Sequence, residues 1–104
     1  MPKKPLENPS EAMFYVLMAL AQQGESCGAE IARFAEERSR GAVRIGPGTL
    51  YAILAKFSEE ALIEKRSAEG RRRSYVLTLA GRALYETELR RLRRCIADAE
   101  EETP

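Results

Sequence analysis

Residues Gly46 to Thr78, GPGTLYAILAKFSEEALIEKRSAEGRRRSYVLT, change their hydrophobic period part-way along. From Thr49 to Ala61 the residues Leu50, Ile53, Leu54, Phe57 and Ala61 fall on one face of a helix. Thr49, Tyr51, Ala52 and Lys56 are left on its flanks or toward solvent, and Pro47 stands where a first helical turn can begin. After Ala61 the period shortens. Leu62–Ser67 and Ser74–Thr78 mix apolar and polar residues around Ala68-Glu69-Gly70-Arg71-Arg72-Arg73, the pattern of a two-stranded hairpin with a basic tip. Tyr75 and Leu77 then share one face, Val76 and Thr78 the other.

Upstream, Ser10 is a good N-cap for a helix from Glu11 to Gln23, in which Phe14, Leu17, Met18 and Ala21 follow the i, i+3, i+4, i+7 pattern. Met13, Val16 and Leu20 are apolar as well, so this helix is expected to be central, covered by its own domain on one side and by a partner on the other. Gly24 ends it. Ser26 is placed to cap a second helix, from about Cys27 to Ser39, with Ile31, Phe34, Ala35 and Arg38 as its stripe. The glycine-containing turn SRGAVRIGPG, Ser39 to Gly48, joins it to the third.

Downstream, Thr78 caps a long last helix from Leu79 to about Glu101. There Tyr85, Leu89, Leu92, Ile96 and Ala99 recur at steps of four, three, four and three, a seam that either pairs with a partner helix or packs on its own domain. Three helices followed by a basic hairpin is the order of a winged helix-turn-helix. The expected fold is mainly α with a small β-hairpin. It comprises a loose arm over residues 1–9, a winged helix-turn-helix over 10–78, and a C-terminal dimerisation helix with an acidic tail over 79–104.

Composition excludes several function classes. The 104 residues, 17 basic and 16 acidic, suit one domain. The longest apolar run, Ala12 to Ala21, is about half the ~20 residues that cross a bilayer, so no membrane span is expected. No cleavage site follows it, and the cytoplasm is the expected compartment. Histidine is absent, which removes the commonest general base and metal ligand. No enzyme mechanism, metal or cofactor is expected. Cys27 and Cys95 have no neighbouring ligand pattern and read as free thiols, with Arg91 and Arg94 near Cys95 leaving redox sensing as a minor alternative.

The charge is segregated. Residues 1–64 carry net −2, residues 65–94 net +7 and residues 95–104 net −4. A basic block of this kind attracts an anionic polymer, because distant carboxylates are screened beyond roughly 8 Å. Double-stranded DNA is the expected partner, with the third helix in the major groove and Arg71, Arg72 and Arg73 on phosphate. Thr49 and Tyr51 offer hydroxyls at a helix start where the dipole also favours phosphate, and Lys56 adds a cation further along. Lys3 and Lys4 of the arm are placed to touch DNA as well. The competing reading is a winged-helix module that holds an acidic protein partner.

The residues also carry a family resemblance. Gly46-Pro47-Gly48-Thr49-Leu50-Tyr51, then Ala61-Leu62-Ile63, then Arg73-Ser74-Tyr75-Val76-Leu77-Thr78-Leu79-Ala80-Gly81 resemble the PadR family of transcriptional regulators over residues 11 to about 90. The resemblance implies a homodimeric winged-helix repressor of the subfamily with a single C-terminal helix, released from DNA by a small molecule or a stress signal. It also implies dimer contacts from the last helix, here Tyr85, Leu89, Leu92 and Ile96. Three positions depart from the family pattern. Ala29 stands where a tyrosine is usual, Ala52 where a proline is, and Ala61 where a glycine is. Alanine is the better helix residue at the last two, so neither is expected to forbid the fold. The lack of tryptophan argues against an aromatic drug sandwich across the dimer.

Overall fold

Ser10 accepts a hydrogen bond from the Met13 amide at 3.2 Å, satisfying one of the amides that a helix start leaves open. It caps α1 (Glu11–Gln23) in a computed structural model that describes residues 8–67 and 73–101 of the chain. The elements that follow are β1 (Ser26–Cys27), α2 (Gly28–Arg38), α3 (Pro47–Glu59), β2 (Ile63–Ser67), β3 (Arg73–Leu77) and α4 (Leu79–Glu100). The architecture is mainly α with a small antiparallel sheet, as the sequence implies. The axis of the core is α1, whose Val16, Leu17, Ala19 and Leu20 are all buried. Ile31 and Phe34 of α2, Leu50, Ile53, Leu54 and Phe57 of α3, and Ile63 and Tyr75 of the sheet pack around it.

Among the described residues the sheet has three strands, not two. Its order is β1-β3-β2, with Ser26 opposite Tyr75, Cys27 opposite Ser74, and Lys65 opposite Tyr75 on the other side. The expectation that Ser26 caps the second helix is therefore corrected, since that position belongs to Cys27 and Ser26 is a buried strand residue. Its hydroxyl donates to the Gly24 carbonyl at 3.0 Å and accepts from Gln23 Nε2 at 3.1 Å. The start of α2 is closed instead by Glu30, whose Oε1 accepts from the Cys27 amide at 2.8 Å.

Both helices of the helix-turn-helix unit end in the same way. After α2, the Gly41 amide donates to Glu36 O at 2.8 Å and the Arg40 amide to Glu37 O at 3.2 Å. After α3, the Leu62 amide donates to Phe57 O at 2.8 Å and the Ala61 amide to Ser58 O at 3.1 Å. These are Schellman pairs, which turn the chain sharply by holding one residue in the left-handed region. That residue is Arg40 (φ 56°) in the first and Ala61 (φ 58°) in the second. Helix α3 thus stops at Glu59, and alanine's merit in helices does not apply at position 61. The connection between the two helices is anchored by Val43 and Ile45, both buried in the core.

Thr78 then performs two tasks at once. Its hydroxyl accepts from the Gly81 amide at 3.0 Å, capping α4, and donates to the Ala61 carbonyl at 2.8 Å, tying that cap to the end of α3. Farther along α4, Tyr85 is buried and stacks on Phe14 of α1 with ring centroids 5.3 Å apart.

Candidate nucleic-acid interface

At the start of α3, Gly46 is the N-cap and Pro47 occupies the first turn, with no side chain capping the helix. The uncapped amides and the positive end of the helix dipole are exposed where Gly46, Pro47, Gly48 and Thr49 meet solvent. Such an end favours an anion. Tyr51, one turn in, is 54% exposed, and its hydroxyl lies over Gly28 at the start of α2, 2.9 Å from where a Cβ there would stand.

A groove of about 420 Å³ separates α3 from the sheet, lined by Tyr51, Ala55 and Ser58 on the helix side and Lys65, Arg73 and Tyr75 on the strand side. The pleat explains the strand contribution. Lys65 opposes Tyr75 and Ser67 opposes Arg73, so Lys65 and Arg73 are diagonal neighbours on one face, roughly 7–8 Å apart at the backbone. Toward the core that same face is apolar, with Ile63 and Tyr75 both buried. Toward the wing it becomes cationic. Among the described residues neither Lys65 nor Arg73 has a carboxylate within ion-pairing distance, whereas Arg66 on the other face has Glu64 at 4.0 Å. Burial, reinforced by neighbouring Tyr51 and opposed by Arg73, raises the Tyr75 phenol above its ordinary pKa, so its hydroxyl stays protonated and able to donate.

The structure thus brings Tyr51 and Arg73 to one groove, whereas Thr49 is exposed at the helix start and is not part of the groove's lining. Lys56 does not line the groove and is paired with Glu60 at 3.3 Å. Arg71 and Arg72 lie outside the described residues. The sequence reading did not single out Lys65. The signal was available in the hairpin register, since the residue directly opposite a buried tyrosine shares its face.

The expected dimer residues are spread along α4. Tyr85 is buried within its own chain, Leu89 and Leu92 are half-buried, and Ile96 is 58% exposed. Glu88 is buried on the same helix and held by Arg91 through two hydrogen bonds, from Nε at 2.8 Å and from Nη2 at 2.5 Å. Those bonds keep the Glu88 carboxyl below its ordinary pKa, against the effect of burial. Cys27 is buried and Cys95 exposed, both as free thiols. Among the described residues no helix is long and apolar enough to cross a membrane, and no group of three or more His, Cys, Asp or Glu side chains is arranged to hold a metal.

Residues 16–87 match the transcriptional regulator PadR-like family. The chain belongs to that family. Its PadR-type winged helix superposes with a TM-score of 0.71 on a PadR family transcription regulator of Clostridium difficile R20291, at 25% identity, covering 85% of this chain and 93% of that one. The Bacillus subtilis PadR bound to operator DNA shares the fold with a TM-score of 0.64 at 21% identity, covering 88% of this chain and 48% of that one. Bordetella bronchiseptica BpsR, whose DNA binding is regulated by 6-hydroxynicotinic acid, has a TM-score of 0.71 at 20% identity over 97% of this chain and 73% of its own. An uncharacterized 37.1 kDa protein in transposon TN4556 of Streptomyces fradiae is 39% identical over 79 residues, and the PadR-family chain spans 22% of that protein's length. PadR-family proteins are transcriptional regulators that bind DNA through a winged helix.

Proposed function

We propose that this chain is a homodimeric repressor that binds an operator in duplex DNA and is released by a small molecule or a stress signal. Helix α3 enters the major groove with Thr49 and Tyr51 at its leading end, and the wing over residues 68–73 rests on the phosphate backbone through Arg71, Arg72 and Arg73. Lys56, already neutralised in part by Glu60, contributes less. The observation that carries the reading is the groove between α3 and the sheet, where an exposed tyrosine and two cations without a described carboxylate partner face the same space. The operator complex of the Bacillus PadR and the regulated DNA binding of BpsR, both of this fold, support it.

The domain division follows from the same reading, with residues 10–78 binding DNA and 79–104 pairing the protomers through Leu89, Leu92 and Ile96 and with Tyr85 at the root of that contact. The deciding experiment is a salt titration of binding to a fluorescent duplex taken from upstream of the protein's own gene, with unrelated duplex as competitor. Saturable binding that resists competitor is expected. About six phosphate contacts per dimer would lower affinity by roughly a thousandfold between 50 and 200 mM salt. Replacing Arg71, Arg72 and Arg73 together by alanine should weaken binding to every sequence alike. Absence of duplex binding even at low salt would overturn the reading in favour of an acidic protein partner.

A further inference from the structure

Only 4% of Tyr75 is exposed, and its side chain lines the groove between α3 and the sheet. Among the described residues its hydroxyl makes no hydrogen bond, and it is not one of the polar atoms sealed from solvent. A phenol this deeply buried ordinarily has a partner, so the partner here is expected from the groove. Burial raises its pKa, which leaves the hydroxyl a donor at neutral pH. Lys65 lies directly opposite Tyr75 and Arg73 two residues before it, so both cations stand on the same face of the sheet. The neighbouring acids belong to the other face, where Glu64 meets Arg66 and Glu25 accepts from the Ser74 hydroxyl. Across the groove, α3 contributes Leu54, Ala55 and the ring of Tyr51.

Two cations and a phenol, with no carboxylate in the lining, select an anion. A phosphate monoester, which carries about −1.5 to −2 charge at pH 7, matches two cations better than a phosphodiester, which carries one negative charge. Size points the same way. The groove holds about 420 Å³, within the roughly 300–1,000 Å³ of sites that enclose a small molecule, and a single backbone phosphate would fill a small part of it. We propose that this groove binds a free phosphate monoester of about nucleotide size, its phosphate on Lys65, Arg73 and the Tyr75 hydroxyl and its organic body against Leu54, Ala55 and the Tyr51 ring. The consequence for regulation rests on the DNA reading above: a ligand seated between α3 and the wing strand takes the space that the DNA backbone needs, and so releases DNA by exclusion. That names the chemical class of the releasing molecule.

The test is isothermal titration calorimetry of the full chain at moderate salt without DNA. AMP and phenyl phosphate are the probes, with adenosine, phenol and inorganic phosphate as controls. At least one monoester should bind saturably, one per chain, and about tenfold or more tighter than its parent alcohol or inorganic phosphate. Lys65→Gln removes a cation from an exposed position, and Tyr75→Phe removes the hydroxyl while keeping the ring in the core. Each should weaken the monoester about tenfold. The melting temperature of Tyr75→Phe should not fall, since no hydrogen bond within the described chain is lost. In fluorescence anisotropy the same monoester should displace a labelled duplex. No binding of either monoester would overturn the inference, and loss of duplex affinity in the same variants would then assign the groove to a backbone phosphate alone, leaving the DNA reading intact. Equal binding to wild type and both variants, or binding that leaves duplex affinity unchanged, would place the monoester elsewhere and overturn it too. A monoester held through Lys65 and Tyr75 by a chain without duplex affinity would sustain the site and overturn the DNA reading instead.

Discussion

The carbonyl oxygen of Leu62 lies 2.1 Å from the point that a Cβ on Gly81 would occupy. That oxygen is not free to retreat, because it accepts the Thr78 amide at 3.0 Å, and Leu77 Cδ1 closes the other side at 2.8 Å. Helix α4 therefore meets the α3–β2 corner backbone to backbone, which a side chain of any size would prevent. Gly81→Ala should destabilise the fold by about 3 kcal/mol, at the upper end of what overpacking costs, because α4 must move as a body. Urea denaturation would show it as a lowered midpoint. An unchanged midpoint would mean that the corner yields.

Ala61 gives the opposite expectation. Its φ of 58° places a Cβ close to the following carbonyl, a strain of about 1–2 kcal/mol that glycine would not carry. Glycine loses roughly 0.4–1 kcal/mol through the greater freedom of the unfolded chain. Ala61→Gly should therefore stabilise the protein by about 0.5–1 kcal/mol, a rise of roughly 3–6 °C in Tm for a domain of this size. The same substitution at Ala52, inside α3, should lower Tm. A fall in Tm for Ala61→Gly would refute the strain account.

The helices were legible because their cores are written locally, as in Leu50, Ile53, Leu54 and Phe57, all buried on one face of α3. Strand β1 was not. It has two residues, and what makes it a strand is the backbone of Ser74 and Tyr75, far along the chain. A serine followed by a helical pattern looks like a cap whether or not a distant strand claims it. The end of α3 is hidden in the sequence for a related reason: Ala61 continues the apolar period, while the backbone has already turned to bring Leu62 into the core. Along α4 one continuous stripe runs from Tyr85, buried in its own chain, to Ile96, exposed, and periodicity alone does not mark where the domain stops. The place of Lys65 in the groove depends on the face it shares with Tyr75, which only the register decides.

Glu88 and Arg91 link stability to pH. The folded pKa of Glu88 is lowered, chiefly by the hydrogen bonds from Arg91, so its contribution is complete above the unfolded carboxylate's pKa and is lost as pH falls through the folded value. Removing the partner reverses the sign. In Arg91→Met the buried carboxylate keeps its desolvation and loses its donor, so acid, which neutralises it, should relieve the defect. Thermal melts should show Arg91→Met well below wild type near pH 7, with the gap narrowing at about pH 4. A gap of constant size would assign Arg91 a packing role alone.

Gly28 and Tyr51 should separate folding from binding. A Cβ at position 28 would stand 2.9 Å from the Tyr51 hydroxyl and 3.3 Å from Leu50 Cδ2, but the hydroxyl is the far end of an exposed side chain and can swing aside. Alanine is also the better helix residue, by about 1 kcal/mol, so Gly28→Ala should change stability by no more than about that amount. Its effect should fall on DNA. If Tyr51 grips a phosphate from the position Gly28 allows, displacing it forfeits a hydrogen bond to a charged group, about 1.5 kcal/mol or roughly tenfold in duplex affinity. Tyr51→Ala should cost about as much, and Gly28→Ala added to it should cost nothing further. Fluorescence anisotropy on one duplex, with all four proteins at the same salt, completes the cycle. Additive losses would mean that Gly28 acts on binding by a route other than Tyr51.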